Sequence, residues 1–311
     1  MAFSESSYYA TRSSDSSIEL NGEVDGALDI ALDNKSWNSP SEYLRGGFRY
    51  LTLFLRTNGS VEINSIRNYY TAVPNQSDDS LQDYSGYFYS DDDLLNRIWY
   101  AAAYTLQLST IGSGASRNTS DSQNWNNTER INPLNENDYL LVDGAKRDRT
   151  EWPGDFATAS TSTFIANNKD NMKSLKNSLI SLYSEVDEET GLLPYAGKLI
   201  SLLYLFMIVN FYFILGPPLS KGPMSFTYHL WTLIATYEYW LYSGDYQFIY
   251  NIWTSFSRGI NVSLDKIDEV GLLYVPKNQS SSWGREPTYG HDLTANAILC
   301  KIYLISEIIS N

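Results

Sequence analysis

Residues 143–155 read DGAKRDRTEWPGD, the densest run of reactive side chains in the chain. Four carboxylates (Asp143, Asp148, Glu151, Asp155), three cations (Lys146, Arg147, Arg149) and Trp152 share one loop containing Gly and Pro, directly ahead of a helical pattern. Charges of both signs at such close spacing push carboxyl pKa values apart. Cleavage of a glycosidic bond uses that separation: one carboxyl stays protonated to donate to the leaving oxygen, while others stay ionised to hold hydroxyls or offset positive charge. Trp152 would supply a stacking wall for a sugar ring. The same pattern also fits a salt-bridged surface loop that caps the helix beginning near Asp155.

A loop of this kind needs rigid elements on both sides, and the hydrophobic pattern supplies them. Residues 48–55 and 61–70 are rich in β-branched and aromatic side chains, and the Asn58-Gly59 step between them is a hairpin signal. A further strand pair is expected within residues 18–32, and a polar run over 74–85 marks a boundary. From Ser90 the period becomes helical. Ser90 and Asp93 have capping-box spacing, and Leu94, Leu95, Ile98, Trp99, Ala102 and Leu106 follow on one face. Further helices are expected at 155–167, 170–186, 226–242, 246–264 and 293–309. Two inter-helix segments resemble each other, DEETGLLPY at 187–195 and DEVGLLY at 268–274. A repeated acidic-Gly-Leu-Leu turn after a helix is what a ring of helical hairpins gives. The expected domains are therefore a β segment over 1–85 and a helical domain over 86–311.

Composition narrows the function. With 22 Lys+Arg against 36 Asp+Glu the net charge is −14, and no basic cluster exceeds the Lys146-Arg147 pair, so nucleic acid is not an expected partner. Cys300 is the only cysteine, and His229 and His291 are the only histidines, so no metal or organic cofactor is expected. The two histidines read as hydrogen-bonding residues of hairpin turns. The chain holds 8 Trp, 25 Tyr and 12 Phe. Rings among acids and amides suit sugars, although rings also build cores. No signal-peptide pattern opens the chain, yet sequons recur at Asn34, Asn58, Asn75, Asn118, Asn126, Asn261 and Asn278, which fits an exported protein.

The segment DGAKRDRTEWPGD resembles the active-site signature of the α-L-rhamnosidases, glycoside hydrolase family 78. Further pieces are similar in the same order: Gly47-Phe48-Arg49-Tyr50, SDDDLLNRIW over 90–99, Thr227-Tyr228-His229-Leu230-Trp231, and Trp283-Gly284-Arg285. The resemblance implies a mainly α fold, a partial (α/α)6 six-hairpin barrel preceded by a short β segment of sandwich type. It also implies inverting hydrolysis of terminal α-L-rhamnosyl bonds, with rhamnose-containing glycosides as substrates and an extracellular location. Carried over by position, Asp148 matches the general acid, with Asp standing where many members have the longer Glu. Asp143 and Asp155 match acids that bind rhamnose hydroxyls, Arg147 matches the basic position, and Trp152 matches the aromatic lining of the subsite. An inverting enzyme also needs a second carboxylate, roughly 6.5–9.5 Å across the sugar, to activate water. Glu151 and Glu286 are in-chain candidates, and neither sits in a matching motif. The alternatives are a non-catalytic carbohydrate-binding fragment and a different six-hairpin glycosidase.

Residues 199–215 (LISLLYLFMIVNFYFIL) carry no charge and approach the length of a bilayer span. If this segment is a transmembrane helix, a membrane joins the partners. Gly197-Lys198 and Leu215-Gly216 can be encoded by splice-donor and splice-acceptor sequences, so a retained intron over 198–215 is the favoured expectation, with a similar read-through over 301–311. On that reading the chain is a truncated member of the family, ending before the later hairpin whose Glu is the family's general base, and little or no activity is expected of it.

Overall fold

The computed structural model describes residues 1–17, 25–31, 36–117, 125, 127–147, 149–166, 169–197, 224–282 and 286–310. Asp148, the apolar run at 199–215, Trp283, Gly284 and Arg285 lie outside the described residues.

The fold is mainly helical. In chain order the main elements are β1 (Ala2–Ser4), β2 (Tyr50–Thr52), α1 (Asp93–Leu108), β3 (Thr110–Gly112), β4 (Tyr139–Leu141), α2 (Phe156–Ala166), α3 (Lys169–Ser184), α4 (Phe226–Ser243), α5 (Tyr246–Leu264) and α6 (Leu293–Ser310). Helix α4 is central and packs against α2, α3, α5 and α6, while α1 packs against α2 and β3. Its Leu230, Leu233, Ile234, Ala235 and Tyr239 join Leu175, Leu179 and Leu182 of α3, Phe256 of α5 and Ile302 of α6 in one apolar core. Truncating any of these leucines to alanine is expected to cost about 2–5 kcal/mol. A polar tie runs through the same core: the buried Glu238 of α4 accepts from Ser160 of α2 at 2.6 Å and pairs with Lys301 of α6.

Local chemistry sets the helix ends. The Asp92 carboxylate caps α1, accepting from the N–H groups of Leu94 (2.8 Å) and Leu95 (3.4 Å). The cap is thus Asp92 and not Ser90, whose hydroxyl donates to the Asp92 carbonyl and whose N–H donates to Asn96 Oδ1. Helix α4 stops at Gly244 in the left-handed region (φ 65°), and Asp245 then caps α5 through the Phe248 N–H at 3.0 Å. Among the described residues no helix is long and apolar enough to cross a membrane.

The two acidic-Gly-Leu-Leu segments form related turns, the first one residue longer than the second. Asp187 N–H donates to the Leu192 carbonyl and Gly191 N–H to the Asp187 carbonyl; Asp268 N–H donates to Leu272 and Gly271 N–H to Asp268. Gly191 (φ 75°) and Gly271 (φ 78°) supply the left-handed residue each turn requires. The next leucine then reaches the following helix: Leu193 N–H donates to His229 Nδ1 at 3.0 Å, and Leu273 N–H to Asn296 Oδ1 at 2.8 Å. His229 and Asn296 each stand at the fourth residue of their helices, α4 and α6. The molecule therefore contains an internal repeat of helix, turn and helix.

The β part is smaller than its residue types suggest. β2 pairs antiparallel with β1, Phe3 opposite Leu51, rather than with residues 61–70 across Asn58-Gly59. Residues 61–69 are exposed and unassigned to any strand. Phe3, Leu28 and Trp125 form a separate small core over which Phe48 and Leu51 close.

Candidate functional site

β4 leaves its pairing with β3 at Leu141, and the loop 143–155 then runs to the start of α2. The strand is held from behind by α3, where the Ser178 hydroxyl donates to the Leu141 carbonyl and accepts from the Leu141 N–H. The loop closes on itself twice through one pair of residues. Asp143 N–H donates to the Thr150 carbonyl, and Thr150 N–H donates to Asp143 Oδ1, both at 3.1 Å.

The β part anchors the outside of the loop. Gly47 N–H donates to the Ala145 carbonyl at 2.8 Å, and Gly46 (φ 74°) lies so close that a Cβ there would sit 2.3 Å from the same oxygen. Lys146 pairs with Glu5 (2.9 Å) and Asp15 (3.4 Å), and Arg45 pairs with Asp25 (2.8 Å) and Asp15. Arg149 points inward with its backbone in the left-handed region (φ 47°). Its Nε donates to Ala115 O at 3.0 Å and its Nη2 to Asn127 O, while its own carbonyl accepts from the Ser116 hydroxyl. Burial, then the nearby Arg117 and Arg45, hold its guanidinium down to about 9, so it stays charged at neutral pH. The loop carrying the signature is thus fixed by backbone bonds and buried ions rather than left as a surface excursion.

Trp152 is 4% exposed and belongs to an aromatic cluster. Its ring stands edge-on to Tyr195 (centroids 5.1 Å, 88°) and to Tyr228 (6.0 Å, 70°), which contact each other at 4.8 Å. Gly154 makes the cluster fit, since a Cβ there would lie 2.7 Å from the Tyr228 ring. Tyr195 ends the first acidic-Gly-Leu-Leu segment and Tyr228 sits in the first turn of α4, so the turn and the following helix of the first repeat both meet this loop. Neither tyrosine stands out in sequence as a site residue; their signal is their place beside the repeated turn and the helix start.

Glu151 faces the other way. Its side chain is buried against Ser181 of α3, its carbonyl accepts from Gly197 N–H at 2.9 Å, and a Cβ on Gly197 would approach Oε2 to 2.2 Å. Burial pushes its carboxyl up to about 7, the Ser181 hydrogen bond opposes the shift, and Glu185 adds to it. A carboxyl so enclosed has no room for a water and a sugar beside it. Glu286 is exposed. Of the expected site residues, Asp143 closes the loop, Arg147 and Asp155 are exposed on it, Trp152 is buried in the aromatic cluster, and Asp148 lies outside the described residues. The described residues contain no group of three or more His, Cys, Asp and Glu able to hold a metal ion. His229 is buried within the repeat and is not part of this loop.

No protein-family model matches the chain, and no curated protein matches it. Among solved structures, it is similar to a glycoside hydrolase family 78 rhamnosidase of Bacillus sp. GL1, with 18% identity and a TM-score of 0.45 over 71% of this chain and 18% of that one. It is likewise similar to a rhamnosidase from Klebsiella oxytoca with rhamnose bound, with 16% identity and a TM-score of 0.45 over 69% of this chain and 33% of that one. The chain thus spans at most about a third of the length of either protein.

Proposed function

We propose that the loop 143–155 is a glycoside hydrolase site of the α-L-rhamnosidase type, in a helical domain over 86–311 that follows a β segment over 1–85. On this reading Asp148 protonates the leaving oxygen of a terminal α-L-rhamnosyl bond while water attacks the opposite face of C1 and gives its proton to a second carboxylate, which in the family comes from a later hairpin and which the enclosed Glu151 does not supply. Asp143 and Asp155 hold rhamnose hydroxyls, Arg147 supplies positive charge at the rim, and Trp152, buried with Tyr195, backs the half-buried Tyr228, which bounds the sugar. The observation that carries the reading is the double closure of the loop by Asp143 and Thr150 beside that aromatic cluster, which ties these two residues together.

A second reading, carbohydrate binding without turnover, is favoured by the enclosure of Glu151, which removes one in-chain candidate for the base. Hydrolysis of p-nitrophenyl α-L-rhamnopyranoside, measured beside calorimetric titration with L-rhamnose, separates the two. Hydrolysis abolished by Asp148→Asn supports the first reading, and binding without hydrolysis supports the second. Absence of both overturns the assignment of the loop.

A further inference from the structure

We infer that the solvent face of α5 is a binding shelf for a neutral pyranose chain. Tyr246, Tyr250 and Trp253 stand at i, i+4 and i+7, on one side of the helix, and are 73%, 79% and 41% exposed. At about 1.5 Å rise per residue the three rings span roughly 10 Å along the axis. Together with Gln247 and Ile249 they line a shallow, open surface depression.

Two of the three rings have an aromatic neighbour. Tyr246 meets the edge of Trp240 at 6.2 Å and Trp253 that of Phe256 at 6.3 Å, so less ordering of these two is left for a ligand to impose. The rim is polar and neutral. Gln247 Nε2 donates to Asn251 Oδ1 at 2.9 Å, and Thr254 and Ser257 continue the same side. No residue from 246 to 257 is charged, in a chain whose net charge is −14. Arg258, the next cation, is turned away and donates to the Glu189 carbonyl at 2.9 Å.

This chemistry selects among occupants. Pyranose C–H faces stack on exposed rings while their hydroxyls exchange hydrogen bonds with amides and hydroxyls, and a face without charge neither requires nor attracts an acidic glycan. The other exposed apolar faces differ in number of rings: α1 shows Leu94, Leu95, Ile98 and the single exposed ring of Tyr104, and α6 shows Leu293, Leu304, Ile308 and the single exposed ring of Tyr303, where α5 shows three. The shelf stands on its own residues and does not rest on the reading of loop 143–155.

The test is affinity electrophoresis of the full chain in native gels containing galactomannan, xyloglucan or, as an acidic control, polygalacturonate. Wild type and Asp148→Asn are expected to be retarded alike by a neutral polysaccharide, and Tyr250→Ala and Trp253→Ala to lose at least several-fold of that retardation with unchanged circular dichroism. Migration unaffected by both neutral polysaccharides overturns the inference, as does retardation that both variants retain or that polygalacturonate alone produces. If the two variants instead abolish self-association seen by sedimentation, the face is a protein interface and the inference also falls.

Discussion

The backbone N–H of Leu193 donates to Nδ1 of His229 at 3.0 Å, which fixes the imidazole as the Nε2–H tautomer, facing Gly259 O and Ser263 Oγ at 3.2 Å. Burial holds this imidazole down to about 4, from an ordinary 6.5, with Lys266 adding to the shift and the Gly259 bond opposing it. The folded state therefore disfavours the protonated ring. Stability from His229 is present above pH 6.5 and is lost as pH falls through 4, on the order of 3 kcal/mol in all. His229→Asn keeps an acceptor at the δ position, as Asn296 does in the second repeat. Urea unfolding of this variant should show lower stability at pH 7 but a smaller drop between pH 7 and 4.5; an unchanged drop contradicts the assignment.

The second repeat makes a complementary prediction. Asn296 accepts from Leu273 N–H and donates to Leu273 O, at 2.8 and 3.0 Å. Asn296→Leu strands both groups and should cost about 1–3 kcal/mol in chemical unfolding, whereas Asn296→His should recover part of the loss.

Glu151 titrates with the opposite sign. Its carboxyl is raised to about 7, so the stability of its protonated state is intact below pH 4.5 and is lost as pH rises through 7. Glu151→Gln should be close to neutral at pH 4 and stabilising at pH 8, by up to about 3 kcal/mol. Equal effects at both pH values would show that the carboxyl is not desolvated.

The paired turn glycines separate backbone strain from crowding. Gly191→Ala and Gly271→Ala both place a Cβ in the left-handed region and should each cost about 1–2 kcal/mol. A Cβ on Gly271 meets open space, while one on Gly191 would lie 2.9 Å from Arg258 Nε, so Gly191→Ala should be the more damaging in thermal unfolding.

Gly154→Ala probes the aromatic cluster. The new methyl group would intrude on Tyr228 at 2.7 Å, forcing that ring away from Trp152 and Tyr195. Near-ultraviolet circular dichroism should change and stability fall by about 1–3 kcal/mol, with helix content kept. An unaltered near-ultraviolet spectrum would contradict the contact.

The helices were legible because their apolar spacing persists over many residues: 226–242 and 246–264 are read within a residue of Phe226–Ser243 and Tyr246–Leu264. The repeated turns were legible because Asp and Gly have fixed jobs in them. Strand pairing was not, because β2 finds its partner at the distant Ala2–Ser4 and a local turn signal at Asn58-Gly59 says nothing about that choice. The cap moved from Ser90 to Asp92 because both residue types cap, and only geometry decides which carbonyl opens the helix. In the candidate site, the charged loop was visible as a motif, but the direction of each side chain was not. Glu151 and Trp152 are adjacent, yet the first is sealed against α3 while the second meets Tyr195 and Tyr228. Such directions depend on elements far away in the chain.

Hydrolysis of p-nitrophenyl α-L-rhamnopyranoside by the full chain and by Asp148→Asn, with L-rhamnose binding measured on both, tests the central claim most directly. The account predicts rhamnose binding by the wild type and by Asp148→Asn, and assigns whatever p-nitrophenol release the wild type shows to Asp148, so that Asp148→Asn releases none. A variant that hydrolyses as fast as the wild type, or a wild type that neither hydrolyses nor binds rhamnose, would contradict it.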